Sequence, residues 1–180
     1  MVDPETGVEL RLNQPGMLLI KGPNVMKGYL GRPDFTARVI RDGWYETGDI
    51  AQIDADGFIT IVDRQSRLSK IGGEMVPHLK IEEALATILG TEEEIKAVVI
   101  AVPDPVKGER LVVVHEPVSK TPAEICRELA RSGMANLWIP SQDSFIEVAQ
   151  IPLLGTGKPD LKQLKAIALA KFGQAPLTRN

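Results

Sequence analysis

The sequence has little of what would mark a disulfide scaffold, a membrane span or a metal centre. Its single cysteine, Cys126, cannot form an internal disulfide. Its longest apolar run covers residues 97–102, against roughly 20 residues needed to cross a bilayer. Its two histidines, His78 and His115, lie far apart with no cysteine nearby, so zinc-ligand spacing is absent. We therefore expect no metal site and no membrane-spanning segment.

Neither sign of charge dominates the chain, which has 21 Lys and Arg against 24 Asp and Glu and a net charge of -3. Such a balance gives no general attraction to nucleic acid or anionic lipid, and we expect no nucleic-acid partner. The first residues lack the basic flank and apolar stretch of a secretory signal. Together with the single cysteine, this favours a cytoplasmic location for this region.

The apolar pattern changes near Asp63, where we place a domain boundary. Before it, residues 16–21, 49–53 and 58–62 read as short strands, and the Asp-Ala-Asp-Gly sequence at 54–57 predicts a hairpin between the last two. The charge changes as well, from net -4 over residues 1–63 to net +1 over the remainder. The first part therefore reads as a β subdomain.

The second part combines helical periodicities with dense Val and Ile runs. Thr121 and Glu124 match a capping box around a helix start, which is the clearest local signal in the chain. The fold class is thus α+β, a short β subdomain followed by a small α+β domain with a central sheet of about three strands and flanking helices. The expected elements of the second part are a helix from Pro77 that ends at Gly90, two central strands at 94–102 and 110–115, a helix over 121–131, a strand at 144–148, a helix over 160–172, and a frayed tail at 174–180.

Three glycine-rich, charged segments could contain functional residues, and each also has a simpler structural interpretation. In Gly-Trp-Tyr-Glu-Thr-Gly-Asp, Asp49 could accept hydrogen bonds from a cis-diol such as ribose, or could only close a turn. In the segment 63–74, Arg64 and Lys70 could donate to phosphate or hydroxyl groups, or the segment could be a solvated linker. In Leu-Gly-Thr-Gly-Lys-Pro-Asp, Lys158 projects from a loop that lacks P-loop spacing, and it could instead cap the next helix.

Taken in order, GMLLIKGPNVMKGY, GWYETGDIA, DGFITIVDRQSRLSKIGGEMV and IPLLGTGKPDLKQL resemble the closing third of the adenylate-forming enzymes, which include acyl-CoA synthetases. SKIGGEMV and LGTGKPD are most similar to the acyl-acyl carrier protein synthetases, including the synthetase half of bifunctional 2-acylglycerophosphoethanolamine acyltransferases. The four motifs cover almost the whole chain, and their order is specific. The resemblance therefore outweighs the simpler alternatives.

The resemblance implies a two-step ligase that uses ATP with Mg²⁺. A fatty acid attacks ATP to give acyl-adenylate, and a phosphopantetheine thiol, on acyl carrier protein or coenzyme A, then takes the acyl group. Between the steps the small C-terminal domain rotates. Such a reaction would serve phospholipid acylation, and the resemblance leaves open a parent enzyme at the inner face of the cell membrane.

The same resemblance implies roles for individual residues. Asp49 and Arg64 match residues that hold the ribose hydroxyls, and Lys158 matches the catalytic lysine that contacts the reacting carboxylate and α-phosphate. The loop that faces the site in the thioester step is matched by Lys70, Gly72, Gly73 and Glu74. The hinge position, usually Asp or Lys, is Ser66 here, with Arg67 beside it.

The implied domains are an incomplete terminal β subdomain over 1–62, a hinge over 63–67 and a mobile lid over 68–180. The family's upstream phosphate loop and most of its acyl pocket are missing, so we expect the isolated chain to need the N-terminal domain of its parent for activity. The alternative is a non-catalytic module that docks a carrier protein or another partner. A stand-alone nucleotide-binding domain is disfavoured, because no GxGxxG or P-loop pattern is present.

Overall fold

A computed structural model describes residues 1–173, and the chain divides into unit 1, Met1–Ser66, and unit 2, which begins at Arg67. This division falls inside the predicted hinge segment 63–67, although movement at the hinge stays a prediction. The predicted frayed tail at 174–180 lies outside the described residues. None of the described helices is both long enough and apolar enough to cross a bilayer.

Unit 1 is built around one long strand, β3, which pairs antiparallel with three others. The sequence predicts that β3 begins at residue 49, but pairing with two shorter strands extends β3 back to Trp44. The turn before it places Asp42 and Gly43 at φ 52° and 79°, as a two-residue hairpin turn requires. The elements of unit 1 are β1 Gly16–Ile20, α1 Pro33–Val39, β2 Ile40–Arg41, β3 Trp44–Ile53 and β4 Ile59–Arg64.

The hairpin predicted between β3 and β4 is confirmed. The Asp54 carboxylate accepts hydrogen bonds from the backbone N–H groups of Asp56 and Phe58, each at 2.9 Å. Gly57 adopts φ 85°, which closes the turn without a side-chain clash. β4 continues to Arg64, two residues beyond the predicted end, because its last residues still pair with β3.

Unit 2 is a three-layer arrangement around a sheet in the order β7-β8-β9, with β7 and β8 antiparallel and β8 and β9 parallel. α2 and α3 pack on one face of this sheet and α4 on the other. The prediction of three strands with flanking helices is confirmed, except that only β8 is central. The elements are β5 Leu68–Ile71, β6 Glu74–Pro77, α2 His78–Leu89, β7 Ala97–Asp104, β8 Gly108–His115, α3 Pro122–Arg131, β9 Phe145–Glu147 and α4 Leu161–Phe172.

The helix ends of unit 2 follow local sequence signals. Thr121 and Glu124 form the predicted capping box at the start of α3. Pro77 precedes α2 as its N-cap, and Gly90 ends α2 with φ 66°, a left-handed conformation that suits glycine. Asp160 caps α4 by accepting hydrogen bonds from two backbone N–H groups of the first turn.

The alternative in which the segment 63–74 is a solvated linker is wrong for its later part, which enters a hairpin of β5 and β6. Gly72 and Gly73 form its two-residue turn, with φ 58° and 90°. Left-handed conformations at both turn positions match the right-handed twist of the flanking strands. The hairpin was missed because its alternation of buried and exposed residues is short and includes buried Ser69.

Candidate functional site

Asp49 lies on an irregularity in β3. Met17 pairs with Ile50 and Leu19 with Glu46, so three residues of β3 face the single residue Leu18. The Thr47 hydroxyl donates to the Leu18 carbonyl at 2.9 Å and accepts from the Asp49 N–H at 3.0 Å. A bulge of this kind re-aims side chains, and here it fixes the backbone that presents the Asp49 carboxylate.

Asp49 and Arg64 face each other across β3 and β4 and form an ion pair, with Arg64 Nε 2.8 Å from Asp49 Oδ1. The Asp49 side chain is 23% exposed and that of Arg64 is 66% exposed, so the pair is open to solvent. Buried Asp63 accepts a hydrogen bond from the Arg64 N–H at 2.7 Å and holds its backbone. The pair therefore offers both an acceptor and donors to a ligand.

Tyr45, which the sequence indicates as a packing residue of the same Gly-Trp-Tyr-Glu-Thr-Gly-Asp motif, belongs to the same part of unit 1. Burial and then a hydrogen bond with Tyr29 raise the pKa of Tyr45, and the positive charge of Arg64 opposes that rise. The phenol is therefore neutral at pH 7 and lies within the electrostatic reach of the Asp49–Arg64 pair.

Arg67, a predicted hinge residue, is fixed within unit 2. Its guanidinium forms an ion pair with Glu82 of α2, and both side chains are largely buried. Glu82 Oε1 also accepts a hydrogen bond from the Val99 N–H at 2.6 Å. Arg67 is thus tied through α2 to the first strand of the central sheet. Nothing in the local spacing could have indicated this connection.

A second buried contact fixes the β5–β6 hairpin to the start of α2. Ser69 Oγ lies 2.6 Å from His78 Nε2, and both residues are buried. Burial, followed by the positive charges of Arg67 and Lys165, lowers the pKa of His78 to about 4. His78 is therefore neutral at pH 7, which lets the ring accept a hydrogen bond from the Ser69 hydroxyl.

Four predicted site residues, Lys70, Gly72, Gly73 and Glu74, occupy the end of the β5–β6 hairpin. A Cβ atom added at Gly72 would lie 3.9 Å from Leu137 Cδ2, in ordinary contact. The position therefore has room for one carbon, but its φ disfavours most side chains.

Lys158 lies on a tight reverse turn, and an isolated bridge between Leu153 and Pro159 closes this turn. The Leu154 N–H donates to the Lys158 carbonyl at 2.8 Å, and the Gly157 N–H donates to the Leu154 carbonyl at 2.9 Å. The side chain of Lys158 is exposed, and no group within residues 1–173 hydrogen-bonds or ion-pairs with its amine. The alternative in which Lys158 caps α4 is wrong, because Asp160 caps that helix.

Within unit 2, the end of the lysine turn and the predicted hinge residue line the same cleft. Pro159, which directly follows Lys158, and Arg67 both line a cleft of about 350 Å³. Glu82 lines it as well. The structure therefore brings Asp49 and Arg64 into direct contact in unit 1, whereas in unit 2 Pro159 and Arg67 only line one cleft.

Comparison with known proteins gives a consistent class of relatives, although no family model matches the chain. The chain is 40% identical over 163 residues to a long-chain-fatty-acid–CoA ligase of Yersinia pestis, which covers 89% of the chain and 28% of the relative. It is 41% identical over 169 residues to 4-coumarate-CoA ligase 2 of Narcissus pseudonarcissus, and the match covers 92% of this chain and 29% of the relative. A feruloyl-CoA synthase of Amycolatopsis sp is 37% identical over 147 residues, and the match covers 81% of this chain and 29% of the relative.

Solved structures agree with these relatives. ATP-bound MatB from Rhodopseudomonas palustris matches with a TM-score of 0.77 and 29% identity, over 96% of this chain and 34% of that one. The o-succinylbenzoate CoA synthetase MenE from Bacillus subtilis, in complex with its acyl-adenylate intermediate, matches with a TM-score of 0.76 and 28% identity, over 89% and 32%.

The relatives are therefore acyl-CoA ligases that form acyl-adenylates. This chain is homologous to their C-terminal region, and its mixed α+β fold matches that of the C-terminal domain of adenylate-forming enzymes. The chain spans less than a third of the length of the curated relatives it matches.

Proposed function

We propose that the chain is the C-terminal part of an AMP-forming acid-thiol ligase. This ligase activates a fatty acid as acyl-adenylate and transfers the acyl group to the phosphopantetheine thiol of an acyl carrier protein, for phospholipid acylation. The observation that carries the proposal is the solvent-open ion pair of Asp49 and Arg64, held by a bulge on one strand and by Asp63 on the next.

The Asp49–Arg64 pair suits a nucleoside's cis-diol. A carboxylate accepts hydrogen bonds from two neighbouring hydroxyls, and a guanidinium donates to their oxygens. Since the two side chains already hold each other in place, a ribose would meet groups that need little further ordering. The relatives' use of ATP, as in MatB, supports this role for the pair.

Lys158 is proposed to act in the first step. Its amine extends from a turn that backbone hydrogen bonds hold rigid, and it can therefore stabilise the negative charge that builds on the carboxylate and α-phosphate oxygens. The Gly72–Gly73 turn is proposed to act in the second step. A turn without side chains leaves space for the pantetheine arm beside Lys70 and Glu74.

The remaining parts of such a site would come from upstream of this region. Among residues 1–173, no three His, Cys, Asp or Glu side chains gather as a metal site. We propose that the N-terminal domain of the parent supplies the phosphate loop and acyl pocket. The isolated chain is then inactive. Coenzyme A is the alternative acceptor, as the names of the relatives indicate.

A chimera tests the proposal directly. In it, this chain replaces the matching C-terminal region of the Yersinia pestis ligase, to which it is 40% identical. We expect the chimera to release pyrophosphate with a fatty acid and to form a thioester. Lys158→Ala should slow acyl-adenylate formation by about 100- to 1000-fold and leave thioester formation from supplied acyl-adenylate nearly unchanged.

Lys162→Ala is the matched control, since Lys162 is also exposed and lies only four residues further on. It should leave both steps unchanged. If Lys158→Ala lowered both half-reactions equally, or neither, the proposed role of Lys158 would be wrong. Comparing a phosphopantetheinylated carrier protein with coenzyme A as acceptor then decides which thiol the C-terminal region favours.

Gly72 variants separate steric block from backbone strain in the second step. Gly72→Leu should slow thioester formation, because its side chain both occupies the space beside the turn and resists a φ of 58°. Gly72→Asn is the control, since asparagine is preferred at the first position of this turn type. Leucine and asparagine side chains have the same number of non-hydrogen atoms, so equal defects in both variants would indicate that a side chain obstructs the thiol, whereas a defect in Gly72→Leu alone would indicate backbone strain.

A further inference from the structure

The turn between β7 and β8, residues 104–108, is rigid although it lies at the surface. Asp104 Oδ1 accepts hydrogen bonds from the backbone N–H groups of Lys107 at 2.8 Å and Val106 at 2.9 Å. These two bonds, in that order, lower the pKa of Asp104. The carboxylate is therefore ionised at neutral pH, and it fixes the direction in which the Lys107 carbonyl points.

This turn holds the β5–β6 hairpin through two main-chain groups. The Gly72 N–H donates to the Lys107 carbonyl at 3.0 Å. The Lys70 N–H donates to Glu109 Oε2 at 2.8 Å. At Gly108, φ is 81° and an added Cβ would lie 3.5 Å from the Lys70 carbonyl, so the two segments are in close contact.

We propose that Asp104 and Glu109 are positioning residues for the thioester-forming step. They act through the Lys107 carbonyl and the Lys70 N–H to hold the Gly72–Gly73 turn where the pantetheine arm would pass. This inference rests on the proposed function and adds to it two residues outside the glycine loop.

The physical reason is that the Ser69–His78 contact holds the hairpin away from its tip, whereas the tip is held by these two hydrogen bonds. A two-stranded hairpin is marginally stable by itself, and two adjacent glycines add freedom at its tip. External hydrogen bonds to Gly72 and Lys70 remove that freedom. Displacement of a site by 1 Å can slow a reaction by about 100-fold, so loss of this support should affect the step that uses the turn. The Lys158 turn is a separate loop with its own hydrogen bonds.

The first experiment measures both half-reactions in the chimera. Asp104→Ala and Glu109→Ala should each slow thioester formation about tenfold, as expected when hydrogen bonds to a charged group are lost, and should change acyl-adenylate formation by less than about twofold. Asp104→Asn and Glu109→Gln keep an acceptor oxygen, and they should restore thioester formation. Thr121→Ala removes a cap of α3 instead, and it should lower stability without separating the two half-reactions.

The second experiment measures amide hydrogen exchange by NMR in the chain itself. Asp104→Ala should accelerate exchange of the Gly72 amide about tenfold, while Thr121→Ala should leave it unchanged relative to other unit 2 amides. Unchanged Gly72 exchange, or an equal loss in both half-reactions, would overturn the positioning role. A parent chimera that forms no acyl-adenylate would instead contradict the proposed function.

Discussion

The two units, which both contain candidate functional side chains, differ in how large a hydrophobic core supports them. Among the described residues, unit 2 buries twenty apolar side chains on both faces of its sheet, whereas unit 1 buries four, Met17, Leu18, Ile50 and Ala51. Unit 1 also leaves large apolar side chains exposed along β4 and just before it, including Phe58, Ile59 and Ile61. Unit 2 thus contains a core of its own, and unit 1 is a sheet with little core.

The difference shows that two ways of fixing a side chain coexist in one chain. In unit 1, local devices hold Asp49 and Arg64, namely a bulge, a threonine hydroxyl and a neighbouring carboxylate. In unit 2, the hairpin and Arg67 are held by long-range contacts to a packed helix. Loss of packing should therefore affect the two units unequally.

Separating the units should give the largest effect. Residues 67–180 are expected to fold alone and to unfold cooperatively, because their core is complete around three layers. Residues 1–66 are expected not to fold alone, since four buried apolar side chains cannot offset the chain entropy. Circular dichroism and thermal melting of the two pieces check this. A cooperative transition in 1–66 would remove the contrast between the units.

Truncation of a buried side chain in unit 2 should lower stability more than truncation of an exposed side chain in unit 1. Replacing fully buried Leu85 of α2 with alanine should lower the stability of unit 2 by about 3 kcal/mol, while Ile61→Ala on β4, where Ile61 is 55% exposed, should lower that of unit 1 by less than about 1 kcal/mol. The two tryptophans, Trp44 and Trp138, lie in different units. Urea titrations of single-tryptophan variants would therefore report each unit separately, and equal effects would contradict the comparison.

Acidification should destabilise unit 2 through His78. The unfolded ring binds a proton near pH 6.5 and the folded ring only near pH 4, so the unfolded state takes up more protons between these values. Stability should fall by about 2 kcal/mol between pH 7 and pH 5, and this contribution should be absent in His78→Asn. The measurement is the difference between the two pH profiles of urea unfolding, followed at Trp138. Parallel profiles would be inconsistent with a buried neutral His78.

The smallest effect should come from the ion pair in unit 1. Because Arg64 is 66% exposed, Arg64→Ala should lower stability by less than about 1 kcal/mol, as seen by Trp44 fluorescence. In the chimera, the same change should raise the KM for ATP while Arg41→Ala, an exposed control on β2, should not. A stability loss as large as that of Leu85→Ala would mean that the pair is structural.

Elements with dense local signals could be predicted from the sequence. The turn at 54–57 and the capping box of α3 each depend on side-chain-to-backbone bonds that span at most four residues. The Val-rich strands of unit 2 were recognisable because both faces are buried, although their order in the sheet was not. α1 was missed, since seven residues with none buried show no apolar period.

The supports of the candidate site could not be predicted, because they join residues that are distant in sequence. Glu82 meets both Arg67 and Val99, and Lys70 meets Glu109. His78 was set aside for lack of a metal-binding neighbour, but its partner is a serine on an adjoining strand. The roles of Asp49, Arg64 and Lys158 came from resemblance, and they stay predictions.

The contact of α2 with β7 also bears on self-association. The outer edge of β7 would otherwise offer free peptide groups to a strand from another molecule. At Val99, the N–H donates to the Glu82 carboxylate at 2.6 Å. One side chain thus occupies the position of a neighbouring strand's acceptor at this residue. Mutation of Glu82 should therefore favour intermolecular β-sheet growth and aggregation at this edge, even where the fold survives.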